Sequence, residues 1–301
     1  MQTIDPGALI GCVLGHRYRL DAPLGHGGMG AVLRGTDSRL TRQVAVKVFS
    51  LDGVAPREIR RYADEARMLG SLSHPGLVAL LDVGADLGPG SEPLAFLVME
   101  LVEGRTLRDH IDAGPLPPAE VADVGRQLAE ALGHAHAVGV VHRDLKPANV
   151  LIAQEAVLSG DAEAPLTSTK LADFGIATPV GSQGAAGAGD GPTFGTASYL
   201  SPEQALGQPL GPQSDVYSLG LVLLECLTGR RAYPGEALAS SLARLLDSPE
   251  VPESLGPTWS ALLRAMTATA PESRPTTAQV AEELRRLRRP AIWDRVAARL
   301  G

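Results

Sequence analysis

Residues 140–152, VVHRDLKPANVLI, set an acid (Asp144), a base (Lys146) and an amide (Asn149) within six positions of one another. An apolar run, Val150-Leu151-Ile152, follows at once. Polar groups held on a loop by an apolar flank are the usual setting for chemistry. An ordinary polar turn between a helix and a strand has the same appearance, so the rest of the chain must decide between the two.

Upstream, Ala/Leu spacing over residues 119–138 predicts a helix. His134 and His136 lie two apart on it, hence on different faces, which argues against chelation of a metal. They read as packing or surface histidines. Strands are predicted at 77–83 and 94–101 (LAFLVMEL), with a turn of composition ADLGPGSEP between them. Residues 57–72 have helical spacing, with Ile59, Tyr62, Ala63, Ala66, Leu69 and Leu72 on one stripe and Glu65 beside it. Before that helix, YRLDAPLGHGGMGAVLRGTD from Tyr18 and QVAVKVFSL from Gln43 read as strands joined by tight turns.

Gly25, Gly27 and Gly30 form G-x-G-x-x-G, with Val32 two residues further on. Glycines so spaced let main-chain N–H groups approach a phosphate, although glycine-rich hairpins without a ligand are common. A dinucleotide fingerprint would need a helix after the last glycine and an acid about 20 residues on. Here the chain continues as strand, and the next informative polar residue is the base Lys47. No G-K-[ST] follows either, which excludes a P-loop. Lys47 sits in the apolar run Val44–Val48, either as an outward lysine on an edge strand or as an ammonium aimed at phosphates. Glu65 is either its partner or a solvated glutamate.

Downstream, residues 154–169 are polar and contain Gly and Pro, as in a loop or ragged hairpin. Lys170-Leu171-Ala172 leads into Asp173-Phe174-Gly175, where an acid at a strand end can present a carboxylate to a metal. The Gly/Ala-rich residues 178–194 have the composition of a mobile linker. Helices are predicted for 214–229, 238–246, 259–268 and 277–289. Asp215 near the first of these starts is suited to capping its N–H groups. Residues 290–301 fit a short amphipathic helix with Ile292, Trp293, Val296 and Leu300 inward. A strand-rich first third and a helix-rich remainder predict an α+β chain with two lobes and a cleft between them.

Bulk properties narrow the function. The 301 residues carry a net charge of −7 and only 4% aromatics, which disfavours nucleic acid or an anionic membrane as partner. No apolar run approaches the roughly 20 residues of a membrane span. The N-terminus lacks the pattern of a signal peptide. Cys12 and Cys226 are far apart and read as apolar fillers in a reducing compartment, so a cytoplasmic location is expected.

Taken in order, these parts resemble a eukaryotic-like (Hanks-type) bacterial serine/threonine protein kinase. The resemblance rests on Gly25-x-Gly27-x-x-Gly30-x-Val32, Val44-Ala45-Val46-Lys47, Glu65 and His142-Arg143-Asp144-Leu145-Lys146-Pro147-x-Asn149. Asp173-Phe174-Gly175, Ser201-Pro202-Glu203, Asp215 and Arg274 complete it, over about residues 18–289. It implies a bilobal protein-kinase fold: a lead-in at 1–17, an ATP-binding, β-rich N-lobe at 18–101 with one main helix, a mostly helical catalytic C-lobe at 102–289 and a tail at 290–301. It implies transfer of the γ-phosphoryl group of ATP, with Mg²⁺ or Mn²⁺, to Ser/Thr hydroxyls of proteins, the enzyme itself included. The rival is a scaffold that binds nucleotide or a partner without transfer; intact Lys47, Asp144, Asn149 and Asp173 argue against it.

The resemblance also implies a role for each residue. The glycine loop covers the phosphates, and Lys47, held by Glu65, neutralises them. Asn149 and Asp173 hold the metal. Asp144 orients the acceptor hydroxyl and takes its proton, and Lys146 offsets charge on the transferred group. Met99 resembles a gatekeeper, Glu100 and Val102 a hinge that pairs with adenine, and Val32, Ala45 and Leu151 its apolar walls. Leu69, Leu80, His142 and Phe174 would pack as a spine, and Glu203 would pair with Arg274. Thr196 would sit near Asp144 and Lys146. Arg143 suggests control by phosphorylation of the loop, with Thr193 the first candidate over Thr178 and Ser182. The family often activates by pairing of two copies, so the resemblance leaves a homodimer open as an activating form. Ser201 departs from the usual alanine, and the 154–169 insert is longer than the family needs.

Overall fold

Short apolar runs broken by Gly and Asp build the strands in the first part of the chain. The computed structural model describes residues 4–27, 30–153, 168–174, 197–235 and 237–288, and divides into two units, Met1–Glu103 and Gly104–Gly301. The first holds β1 (Val13–Leu14), β2 (Tyr18–Gly27), β3 (Gly30–Asp37), β4 (Arg42–Ser50), α1 (Pro56–Gly70), β5 (Leu80–Leu87) and β6 (Pro93–Glu100). The six strands form one antiparallel sheet in the order β1-β2-β3-β4-β6-β5. Along β3 every second residue is buried, the period of a strand with one face on a core. That core gathers Leu20, Leu33, Val44, Val46, Val48, Phe96 and Val98 from one sheet face.

Two features here differ from expectation. Residues 1–17 carry no strong pattern, yet Asp5 caps a one-turn helix, Pro6–Leu9, and Leu9 and Leu14 are buried in the same core. β5 runs over 80–87 rather than 77–83: Leu77 is buried in the turn before it, and the turn after it shrinks to 88–92, where Gly88 N–H donates to Glu92 O at 2.8 Å. Alternating Asp and Gly in LLDVGADL conceal an edge strand, whose side chains are half exposed.

The second unit holds β7 (Gly104–Thr106), α2 (Leu107–Asp112), α3 (Pro118–Ala137), β8 (Val150–Ala153), β9 (Ser168–Leu171), α4 (Pro202–Ala205), α5 (Pro212–Thr228), α6 (Ala237–Leu246), α7 (Pro257–Met266) and α8 (Thr277–Arg288). α5 is buried on every side from Ser214 to Leu227, as its nearly continuous apolar sequence requires. Gly229 ends it with φ 69°, in the left-handed region. α3 packs closely against α5 and α8, because at Gly125 a Cβ would lie 2.8 Å from Leu223 and 2.9 Å from Leu284. α2 escaped the sequence reading, although Thr106 and Asp109 form the reciprocal cap its T-x-x-D pattern encodes.

β7, β8 and β9 form a small antiparallel sheet in that order. Ser168 and Thr169, expected in a loop, belong to β9, where Thr169 N–H donates to Gln127 Oε1 at 3.1 Å. Glu203 and Arg274 form a buried two-pronged ion pair at 2.7 and 2.9 Å, with Ser214 Oγ donating to Glu203 Oε1 at 2.7 Å. Burial alone would raise the Glu203 carboxyl, but the Arg274 and Ser214 hydrogen bonds outweigh it and hold the carboxyl below its usual range. Cys226 is free and buried, which pushes its thiol up.

Candidate active site

In the first unit the strand register collects the candidate residues on one sheet face. Gly25 pairs with Val32, Val32 with Lys47, and Lys47 with Leu97, giving one row across β2, β3, β4 and β6. The neighbouring row is Arg34, Ala45, Met99 and Leu80. Directly opposed residues share a face, so Gly25, Val32, Lys47, Ala45 and Met99 stand together, opposite the face that carries the core. The β2–β3 hairpin closes with Gly27 opposite Gly30. Gly30 has φ 156°, and a Cβ there would meet Val48 O at 2.3 Å, so the protein's own packing requires this glycine. Gly25 differs: a Cβ on it would meet nothing within 4 Å.

Lys47 Nζ lies 5.6 Å from the centre of the Phe49 ring. Glu65 sits on α1 between the exposed Asp64 and the buried Ala66, on the half-buried flank of the helix. At the end of β6, Glu100 N–H donates to Ala79 O at 2.9 Å, and Val102 follows in irregular chain. Arg34 forks onto Glu103 at 2.9 and 3.1 Å.

In the second unit the loop before β8 is fixed from several sides. Lys146 Nζ donates to Asp144 Oδ2 at 2.7 Å. Asn149 Nδ2 donates to Asp144 O at 2.8 Å and to Asp144 Oδ2 at 3.1 Å, so the three polar residues of the 140–152 stretch form one cluster. His142 Nδ1 accepts from Asp144 N–H at 3.3 Å, which leaves Nε2 to donate to Ala172 O at 3.0 Å. The ring also lies 4.7 Å from that of Phe174, centre to centre. Ala172 N–H donates to Asn149 O at 2.8 Å, extending the β8–β9 ladder so that Asp173 follows directly beside Asn149's end of it. Leu151, in β8, is opposed to Thr106 and Lys170.

Arg143 and Asp173 both hold left-handed backbone, with φ 67° and 58°. Non-glycine residues in that region are uncommon and concentrate at functional sites. Asp215 compensates the first. Its carboxylate, 1% exposed, accepts from His142 N–H at 2.8 Å, from Arg143 N–H at 2.9 Å and pairs with His136 Nε2 at 2.7 Å. Expected to cap its own helix, Asp215 instead caps the main chain at His142 and Arg143. His136, read as packing or surface, is buried in that network. Gln204 completes it by donating from Nε2 to Arg143 O at 2.7 Å, a contact no local sequence pattern announces.

The structure thus brings Asp144, Lys146 and Asn149 together, with Asp173 at the adjoining strand end, and brings Gly25, Val32, Ala45, Lys47 and Met99 onto one face. Gly175, Thr178, Ser182, Thr193, Thr196, most of the 154–169 insert and the 290–301 tail lie outside the described residues. Among the described residues no group of three His, Cys, Asp or Glu side chains could hold a metal ion, and no helix is long and apolar enough to cross a membrane.

Comparison with known proteins agrees with these features. Residues 18–284 match the protein kinase domain family. The chain is 35% identical over 292 residues to the probable serine/threonine-protein kinase PknB of Corynebacterium glutamicum, covering 93% of this chain and 43% of that protein. It is 39% identical over 272 residues to serine/threonine-protein kinase PknA of Mycobacterium tuberculosis, covering 88% and 59%. The chain therefore spans about half the length of these relatives. The crystal structure of the Mycobacterium tuberculosis PknI kinase domain superposes with a TM-score of 0.66 at 26% identity, covering 92% of this chain and 98% of that one. On a match that extends over nearly its whole length, the chain belongs to the protein kinase family, in its bacterial Hanks-type serine/threonine branch.

Proposed function

We propose that this protein is a Mg·ATP-dependent kinase that phosphorylates Ser/Thr hydroxyls of proteins, itself included. The observation that carries the reading is the Asp144–Lys146–Asn149 cluster, an acid held at 2.7 Å by an ammonium and at 3.1 Å by an amide.

The residues suit the groups they would hold. Gly25 is open where the protein itself needs no room, as close approach of a phosphate would require. Lys47 shares its row and would place an ammonium on the phosphates. Asn149 uses its amide N–H groups on Asp144, which leaves the carbonyl Oδ1 to act as a hard ligand. With the Asp173 carboxylate, that makes the sparse oxygen set Mg²⁺ accepts, since it keeps waters and phosphate oxygens as its other ligands. When bound, Mg·ATP supplies the phosphoryl group and a metal charge to neutralise it.

Asp144 orients the acceptor hydroxyl and receives its proton, and Lys146 offsets negative charge on the group in transit. Met99 and the main chain of Glu100 and Val102 would border the adenine, with Val32 and Ala45 as apolar walls from the same sheet. Catalysis is then positioning and electrostatics rather than covalent work. Arg143 adds a control point. Its Nε is buried without a hydrogen-bond partner among the described residues, which supports capture of a phosphate, with Thr193 the expected bearer.

Asp144→Asn tests the reading. It should cut phosphotransfer by roughly 10²–10⁴, the worth of a positioned base, while ATP affinity measured by calorimetry stays that of the wild type. Transfer at the wild-type rate would remove Asp144 from the mechanism. Absence of any transfer by the wild type despite bound ATP would favour a scaffold.

A further inference from the structure

Helix α6 buries polar side chains and exposes apolar ones over residues 240–246. It turns Ser240 and Arg244 inward, each 1% exposed, and leaves Leu242 52% and Leu246 80% exposed. Arginine is among the residues least often fully buried, and leucine among the most. A buried ion is rarely retained for stability, since apolar residues of similar size do as well or better. Arg244 has no carboxylate partner among the described residues; its surroundings are three carbonyls and a ring. Nε donates to Ser240 O at 3.0 Å, Nη1 donates to Leu200 O, Nη2 donates to Ala197 O, and the Tyr233 ring centre lies 5.0 Å from the guanidinium carbon. Burial lowers the guanidinium pKa.

What this costly arrangement fixes is specific. Ala197 opens the single helical turn Ala197–Tyr199 and Leu200 follows it, while Tyr199 O accepts from Ser218 Oγ at 2.8 Å. Four residues after Leu200, Gln204 of the same stretch donates to Arg143 O, next to Asp144. The segment 197–204 is therefore tied at one end to the residue preceding the catalytic acid and at the other to Arg244. A planar fork holds donors on separate nitrogens in a fixed geometry that meets two carbonyls at once; an ammonium offers its donors from one nitrogen on a flexible stem and does not hold that spacing.

We infer that Arg244 is a positioning residue for the acceptor: its fork fixes the carbonyls of Ala197 and Leu200 and so holds the wall along which a protein acceptor approaches Asp144. The inference rests on the kinase reading above. It predicts a loss that charge alone does not restore and that falls on the acceptor rather than on the nucleotide.

The test compares wild type, Arg244→Gln and Arg244→Lys in the full chain. Transfer to dephosphorylated casein gives the acceptor KM and kcat, calorimetry gives the ATP Kd, and hydrogen exchange follows amides 197–205. We expect the acceptor KM to rise about tenfold in both variants, the signature of lost binding rather than lost chemistry. The ATP Kd should not change, and amides 197–205 should exchange faster. Wild-type acceptor KM in either variant, or a fall in kcat at constant KM such as an unfolded fraction would give, overturns the inference. If Arg244→Gln does not fold, Arg244→Lys decides by the same criteria. A wild type that binds ATP but transfers nothing would count against the kinase reading instead. The exchange comparison would then still judge the clamp: unchanged rates at 197–205 overturn it.

Discussion

Asp215 places a buried negative charge under two consecutive main-chain N–H groups and an imidazole, with all three contacts between 2.7 and 2.9 Å. Arg143 can hold its left-handed backbone because its N–H is bound from below by Asp215 and its carbonyl by Gln204. Strain of this kind persists only where the surroundings over-determine it. Asp215→Asn keeps the size but presents an NH₂ to one of the donors. It should lower kcat by about 10²-fold, the cost of a misplacement near 1 Å, while ATP affinity holds. Steady-state kinetics and calorimetry check both, and an unchanged kcat would show that the loop holds its shape without the carboxylate. The acid, base and amide of the 140–152 stretch were legible because they are neighbours in sequence. Gln204 and Asp215 act on that stretch from 61 to 73 positions away, and His136 from the neighbouring helix, and only folding reveals what they touch.

At the scale of elements, the β3–β4 turn is held by a buried carboxylate. Asp37 accepts two bonds from Arg17 at 2.7 Å and the main-chain N–H groups of Arg39 and Leu40. The Arg17 fork is the main reason its carboxyl falls to about 2, with the two N–H groups adding to it against burial. A carboxyl depressed when folded, against roughly 3.9 when unfolded, contributes stability that is complete above about pH 4–5 and is lost as pH falls toward 2. Melting temperatures followed between those limits should drop less steeply in Asp37→Asn than in wild type; parallel curves would exclude Asp37 from the acid transition. Elements with strong periods, such as α1, α3, α5 and α8, were legible to within a residue or two. Those whose pattern is set by the neighbour were not. β5 hides behind its edge-strand Asp and Gly residues, and β9 begins where composition alone suggests a loop. The first turn and β1 bury only Leu9 and Leu14, too few apolar residues to form a period.

For the whole molecule, the decisive fact is that each unit has its own core: one behind the sheet of the first, one around α5 in the second. Stability then need not be uniform, because cooperative units open with their own free energies. The Glu203–Arg274 pair joins α4, α5 and the chain before α8 entirely within the second unit, and Arg274 is 5% exposed. Arg274→Met leaves Glu203 buried without its counter-charge, at a cost of about 3–5 kcal/mol. Double replacement with Glu203→Gln should recover part of that loss, since the penalty belongs to the unpaired charge rather than to the missing bond. If the cores are independent, native-state hydrogen exchange in Arg274→Met will speed up for slow amides of α3, α5 and α8, while those of β3, β4 and β6 keep wild-type protection. Asp37→Asn will show the reverse. Equal losses in both sets from either substitution would mean that the chain unfolds as one cooperative body.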